Sequence, residues 1–123
     1  MKISLGDIKV SYNVFGNGKP VVFVHGLAES KESWIEVQNK IGNYKTFAYD
    51  IRGHGETTIG NANGKIEQLG KDLVAFLKNL TGPAHCVGYS LGGTVVLWAT
   101  ANFPYLVHSA IVAGTSTVVG GRA

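Results

Sequence analysis

Ser90 lies in the stretch Val87-Gly88-Tyr89-Ser90-Leu91-Gly92-Gly93, which reads Gly-x-Ser-x-Gly-Gly. A short apolar run with strand character, residues 83–87, precedes it, and a run with helix character, residues 94–101, follows. A serine between two glycines at a strand-to-helix junction has the pattern of a nucleophile elbow. The hydroxyl must stand clear of the backbone on a sharp turn, and a strained turn persists only where its neighbours crowd it little. Gly88 and Gly92 remove the β-carbons at i−2 and i+2, where the strand and the helix pass closest. Two more polar groups end apolar runs in the same way. His25-Gly26-Leu27-Ala28 follows residues 20–24, and Asp50 follows residues 44–49.

Alternating strands and helices are needed to position these groups. Residues 2–15 alternate as a hairpin with its turn at Gly6-Asp7, which puts Ile8, Val10, Tyr12 and Val14 on one face. Residues 20–24 are continuously apolar and β-branched, as expected of a strand buried on both faces of a parallel sheet. Ser30 is placed to cap a helix over about 31–42, with Trp34, Val37 or Gln38, and Ile41 at helical spacing. Residues 44–49 form a further strand. Ile66, Leu69, Leu73, Phe76 or Leu77, and Leu80 share one face of a helix over about 65–80. The elbow strand and helix follow, Asn102-Phe103-Pro104 ends that helix, and residues 106–113 form the last strand. The tail 114–123 shows no periodicity and is expected to be mobile. This order predicts an α/β fold, a mostly parallel sheet flanked by helices with an antiparallel hairpin at its N-terminal end. Ligands on such sheets bind at the carboxyl ends of the strands. His25-Gly26, Asp50 and Ser90 should therefore converge on one edge.

Composition narrows the partners. The chain has 123 residues, 45% hydrophobic and 15% charged, with a net charge of +3 that is spread out. Without a Lys/Arg block, nucleic-acid and membrane-surface binding have no support. The N-terminus lacks the apolar core of a signal peptide, and no run reaches transmembrane length, so a cytoplasmic location is expected. Cys86, the single cysteine, lies in an apolar run and reads as a small buried hydrophobe. The Gly-rich elbow is not a phosphate loop, because neither Gly-Lys-Ser/Thr nor Gly-x-Gly-x-x-Gly occurs.

Three motifs in register, Val24-His25-Gly26-Leu27, Asp50-Ile51-Arg52-Gly53-His54-Gly55 and Gly88-Tyr89-Ser90-Leu91-Gly92-Gly93, resemble the α/β-hydrolase superfamily. Their order and spacing are similar to the serine esterase, proline-iminopeptidase-like and cofactor-free haloperoxidase-like branch. The resemblance implies a single partial domain over 1–123, the N-terminal half of that fold, ending near the lid insertion point after the sixth strand. It implies Ser90 as the nucleophile of an acyl-enzyme mechanism on small carboxylic esters, and the backbone N–H groups of Leu91 and Leu27 as donors to the oxyanion. His25, Gly26, Gly88, Tyr89 and Gly92 take supporting places, and no cofactor or metal is implied. A serine at the elbow disfavours the epoxide hydrolases and haloalkane dehalogenases, which use aspartate there. An aminopeptidase, a perhydrolase or a non-catalytic interaction module on the same half-fold remain as alternatives.

The base is missing from this pattern. In the family the order is Ser, then Asp or Glu, then His, yet after Ser90 the chain holds one histidine, His108, and no acid. His108 falls in the last strand and reads as an edge residue. His25 fits a structural role in its loop, His54 a turn-stabilising role, and His85 a buried strand position. Asp50 precedes the serine and reads as a hydrogen-bond acceptor for neighbouring loops. The chain alone is therefore expected to be nearly inactive, because losing triad members costs on the order of 10⁴ to 10⁶ in rate. Strand 106–113 is expected to be an open apolar edge, and such edges invite self-association or a second chain.

Overall fold

A computed structural model of the chain describes residues 1–115. The hairpin comes first. β1 (Lys2–Leu5) and β2 (Ile8–Phe15) pair antiparallel, with Leu5 opposite Ile8 and Gly6 at φ 60° in the turn. β3 (Lys19–Val24), β4 (Tyr44–Tyr49), β5 (Ala84–Tyr89) and β6 (Val107–Ala113) complete one six-stranded sheet in the order β1-β2-β4-β3-β5-β6. β4 runs antiparallel to β2, whereas β4-β3-β5-β6 are mutually parallel. The sheet is thus mixed, with its parallel part in the half that carries the motifs. The central strand β3 reads as the sequence suggests: Val21, Val22, Phe23 and Val24 are all buried.

The two faces are covered unequally. α2 (Ile66–Phe76) and α3 (Leu91–Asn102) pack side by side on one face. There they close the main core over Val22, Val24, Phe47, Tyr49 and Cys86, with Val96 contributed by α3. Gly70 of α2 lies against the Trp98 ring of α3, with no room for a β-carbon between them. On the other face Trp34 and Ile41 pack on Val21, Phe23 and Ala48, and Trp34 stacks on Phe23 at 4.8 Å. Beside them lies a cavity of about 360 Å³ lined by Val21, Phe23, Ile41, Tyr44, His85 and Ile111, among others.

Several elements depart from the sequence reading. The helix expected over 31–42 is a 3₁₀ turn, Lys31–Trp34, followed by a short α1, Ile35–Lys40. Ser30 does not cap it. Its hydroxyl instead donates to the Glu32 carboxylate at 2.9 Å, and Asp50 Oδ1 accepts the Lys31 N–H at 2.7 Å. Of the alternatives at the second inward position, Gln38 is buried and Val37 is exposed. Gln38 donates to the carbonyl and hydroxyl of Thr46. The second helix ends at Phe76 and widens into a π turn over Leu77–Thr81 before Gly82. The tail expected to be mobile falls mostly outside the described residues. Its first two, Gly114 and Thr115, are inside, and Thr115 Oγ1 donates to the Ser90 carbonyl at 2.8 Å.

Candidate functional site

β3, β4 and β5 are neighbours and parallel, so the loops after Val24, Tyr49 and Tyr89 leave the same edge. Ser90 lies between β5 and α3 at φ 56° and ψ −119°, a backbone state that side chains rarely adopt. Four hydrogen bonds hold it there. Its N–H donates to Ala113 at 2.9 Å, and its carbonyl accepts from Gly93 and Thr94 as well as from the Thr115 hydroxyl. A β-carbon at Gly88 would lie 2.7 Å from the Gly93 Cα, and one at Gly92 would strike the carbonyls of Val24 and His25. Close passage of strand, helix and loop thus explains both glycines.

The His25-Gly26-Leu27 loop lies next to the serine. A β-carbon at Gly26 would lie 3.3 Å from both Ser90 Cβ and the Tyr89 ring. His25 is fully buried, and its ring bridges two backbones. Nδ1 meets the Gly26 carbonyl at 2.6 Å, and Nε2 accepts from the Ile51 N–H at 3.0 Å. Together these contacts require the neutral ring with its proton on Nδ1. Burial is the main force holding its pKa below the usual 6.5. His25 therefore ties the loop after β3 to the loop after β4, and both nitrogens are occupied. Leu27 is exposed, and Ala28 follows at φ 62°. Among the described residues, the N–H groups of Leu27 and Leu91 have no acceptor. The Leu91 amide also belongs to the first turn of α3, where unpaired N–H groups and the helix dipole favour negative charge.

Asp50 is fully buried after β4. It accepts from the Lys31 N–H at 2.7 Å, from Lys31 Nζ at 2.9 Å and from the Glu56 N–H at 2.9 Å. Gly55 packs on its carboxylate and has no room for a side chain. Asp50 thus occupies the place of a loop-holding acceptor. Arg52, also buried, forms paired hydrogen bonds with Asp72 at 2.9 Å and with Asp7 at 2.8 Å. Its Nη1 also donates to the Ile59 carbonyl at 3.0 Å. Lys31 did not stand out in the sequence, and Arg52 appeared there only inside its motif, with no role of its own. Each pairs with carboxylates remote in the chain, and a lone basic residue in a polar stretch reads as solvated.

No histidine joins Ser90 among the described residues. His54 is half-buried, lies beside His25 with ring centres 5.2 Å apart and planes tilted by 52°, and touches the Arg52 carbonyl. His108 is exposed on β6 and neighbours His85 at 5.7 Å. His85, expected to be buried, is half-exposed, because β5 is uncovered on that side and its ring reaches the Ser109 hydroxyl at 2.7 Å. Near Ser90, the exposed Tyr89 joins Glu29, Ser33 and Trp34 around a recess of about 140 Å³. The larger cavity over Val21 and Phe23 includes neither Ser90 nor the His25-Gly26-Leu27 loop.

The family model for the alpha/beta hydrolase fold matches residues 19–121. The chain belongs to the α/β-hydrolase family. Among curated proteins, this α/β-hydrolase is 32% identical over 121 residues to 3-oxoadipate enol-lactonase 2 of Acinetobacter baylyi, covering 93% of the chain and 44% of that protein. It is 36% identical over 116 residues to ethanol acetyltransferase 1 of Hanseniaspora uvarum, covering 90% of the chain and 33% of the relative. Among solved structures it superposes on a hydrolase from Pseudomonas aeruginosa PA01 with a TM-score of 0.90 at 23% identity, covering 98% of the chain and 48% of the other. The chain thus spans less than half the length of these relatives. No helix among the described residues is long and apolar enough to cross a membrane.

Proposed function

We propose that Ser90 is the nucleophile of an acyl-transfer site acting on small carboxylic esters or lactones. The observation that carries this reading is the strained Ser90, φ 56° and ψ −119°, beside two N–H groups that have no acceptor among the described residues. In the proposed step, Ser90 Oγ attacks the carbonyl carbon as its proton leaves to a base. The negative charge gathers on the former carbonyl oxygen, where the Leu27 and Leu91 N–H groups receive it. Each such donor is worth about 3–4 kcal/mol of barrier. Collapse of the tetrahedral intermediate breaks the bond to the leaving alcohol, which takes up the proton. The acyl group stays on Ser90 until an acceptor attacks.

Within this reading the acceptor is water, in keeping with the enol-lactonase relative. Transfer to an alcohol is the second reading, favoured by the acetyltransferase relative at 36% identity. Both share the acyl-serine and differ in what releases it. The base and its orienting acid are proposed to lie outside these 123 residues, because the histidines near the loops are held by other contacts. The oxyanion donors and binding alone leave a residual 10³- to 10⁴-fold acceleration over water.

Incubation of the chain with p-nitrophenyl acetate tests this. The expected result is slow release of nitrophenol, with turnover below about 1 s⁻¹ and acetyl mass on the peptide containing Ser90. Both should vanish in Ser90→Ala. Turnover above that rate would overturn the proposal of an absent base, and acetylation that persists in Ser90→Ala would overturn the nucleophile. A purely non-catalytic interaction module predicts no acetyl-serine at all.

A further inference from the structure

Lys31 is a basic residue that the fold buries. It is 4% exposed at the end of the loop that begins with His25. Its ammonium meets Asp50 Oδ2 at 2.9 Å, Glu56 Oε1 at 3.0 Å and Glu32 Oε2 at 3.1 Å. Its own N–H donates to the other Asp50 oxygen at 2.7 Å. Burial pulls the pKa of this group down, and the three carboxylates more than offset that, so it stands above the usual lysine value and the ammonium stays charged. At the opposite end of the same loop, His25 Nε2 accepts from Ile51, the residue after Asp50. The segment Gly26–Ser30 is thus stapled at both ends to the loop after β4. Its middle carries Leu27, whose N–H is unpaired among the described residues, and Ala28 at φ 62°.

We propose that Lys31 is a positioning residue that, through Asp50 and Glu56, fixes the loop 26–30 and so aims the Leu27 N–H at the oxyanion formed on Ser90. The proposal rests on the reading of Ser90 as nucleophile and extends it to a residue that touches no substrate. An oxyanion donor contributes fully only when it is held in place before charge develops. A loop with a non-glycine residue in the left-handed region needs its ends held from outside. Lys31 holds one end with a side chain that reaches two carboxylates of the loop after β4, whereas a cap from Ser30 would have held it only locally.

Amide hydrogen exchange and serine labelling, both on the 123-residue chain, test the proposal together. In Lys31→Met, exchange of the 26–30 amides should rise at least tenfold, while amides of β3, β5 and α3 keep their protection. The rate of Ser90 phosphonylation by a fluorophosphonate should fall about tenfold, and Lys31→Arg should restore both. Lys31→Gln, which keeps a donor for Asp50 without the charge, serves if Lys31→Met does not fold, and it should fall between the two. Unchanged exchange at 26–30, or a uniform rise across the sheet, would overturn the staple. Selective loosening with an unchanged labelling rate would overturn the positioning role. If the unmodified chain is not labelled, the nucleophile reading fails on its own, and the exchange data still decide whether Lys31 holds the loop.

Discussion

Around Ser90, the clearest prediction concerns the glycines. A β-carbon on Gly92 would meet two carbonyl oxygens of β3 and its loop, and neither belongs to a flexible side chain. Gly92→Ala should therefore destabilise the chain by about 2–3 kcal/mol, the cost of forcing atoms into a packed site. Gly42 is the control. Nothing lies within 4 Å of a β-carbon there, so Gly42→Ala should be neutral or stabilising by about 0.5 kcal/mol through the unfolded chain. Thermal or urea denaturation of both variants checks this pair. His25 sets the acid limit. Its folded pKa lies below the usual 6.5, chiefly through burial, with the Gly26 carbonyl opposing. As pH falls through about 6.5, the unfolded ring takes up a proton that the folded ring still refuses. The unfolded state then binds more protons, so stability is lost from that pH downward to the depressed folded value. The midpoint of thermal unfolding should fall across that window, and His25→Asn should remove that part of the slope. Ser90, Gly88 and Gly92 were legible because a strained turn demands small neighbours within two residues. Lys31 and Thr115 were not, since their partners lie 19 and 25 residues away.

At the level of elements, strand positions read well and helix ends read less well. β4 spans Tyr44–Tyr49, the bounds its apolar pattern predicts. The segment after the His25 loop shows the limit. Helical spacing of Trp34, Gln38 and Ile41 is real, but Asp50 takes the Lys31 N–H from across the sheet edge, and a 3₁₀ turn forms where an α-helical turn was expected. Capping from another element leaves no local signature. The contact between α2 and α3 turns on Gly70, which accommodates the Trp98 ring. Gly70→Ala should cost about 1–3 kcal/mol by overpacking. Most of that cost should disappear in the Trp98→Leu background, where the ring is gone. A double-mutant cycle by denaturant unfolding measures the coupling, and additive costs would contradict this packing.

For the whole molecule, the unequal covering of the sheet matters most. α2 and α3 close one face, whereas Val87 and Ile111 on the other border an open cavity, and Ile111 is 61% exposed. β6 pairs only with β5 among the described residues. Its free edge and apolar face lead us to propose that the isolated chain self-associates or takes a second chain there. Light scattering at tens of micromolar should show species larger than a monomer, and Ile111→Lys should reduce them. A monomer at that concentration would contradict the proposal. The central claim, that this sheet edge carries an acyl-accepting serine, is tested most directly by mass spectrometry of the folded chain after fluorophosphonate treatment. We predict a single adduct on the peptide containing Ser90, absent in Ser90→Ala. A folded chain with no adduct, or with the adduct on another residue, would contradict it.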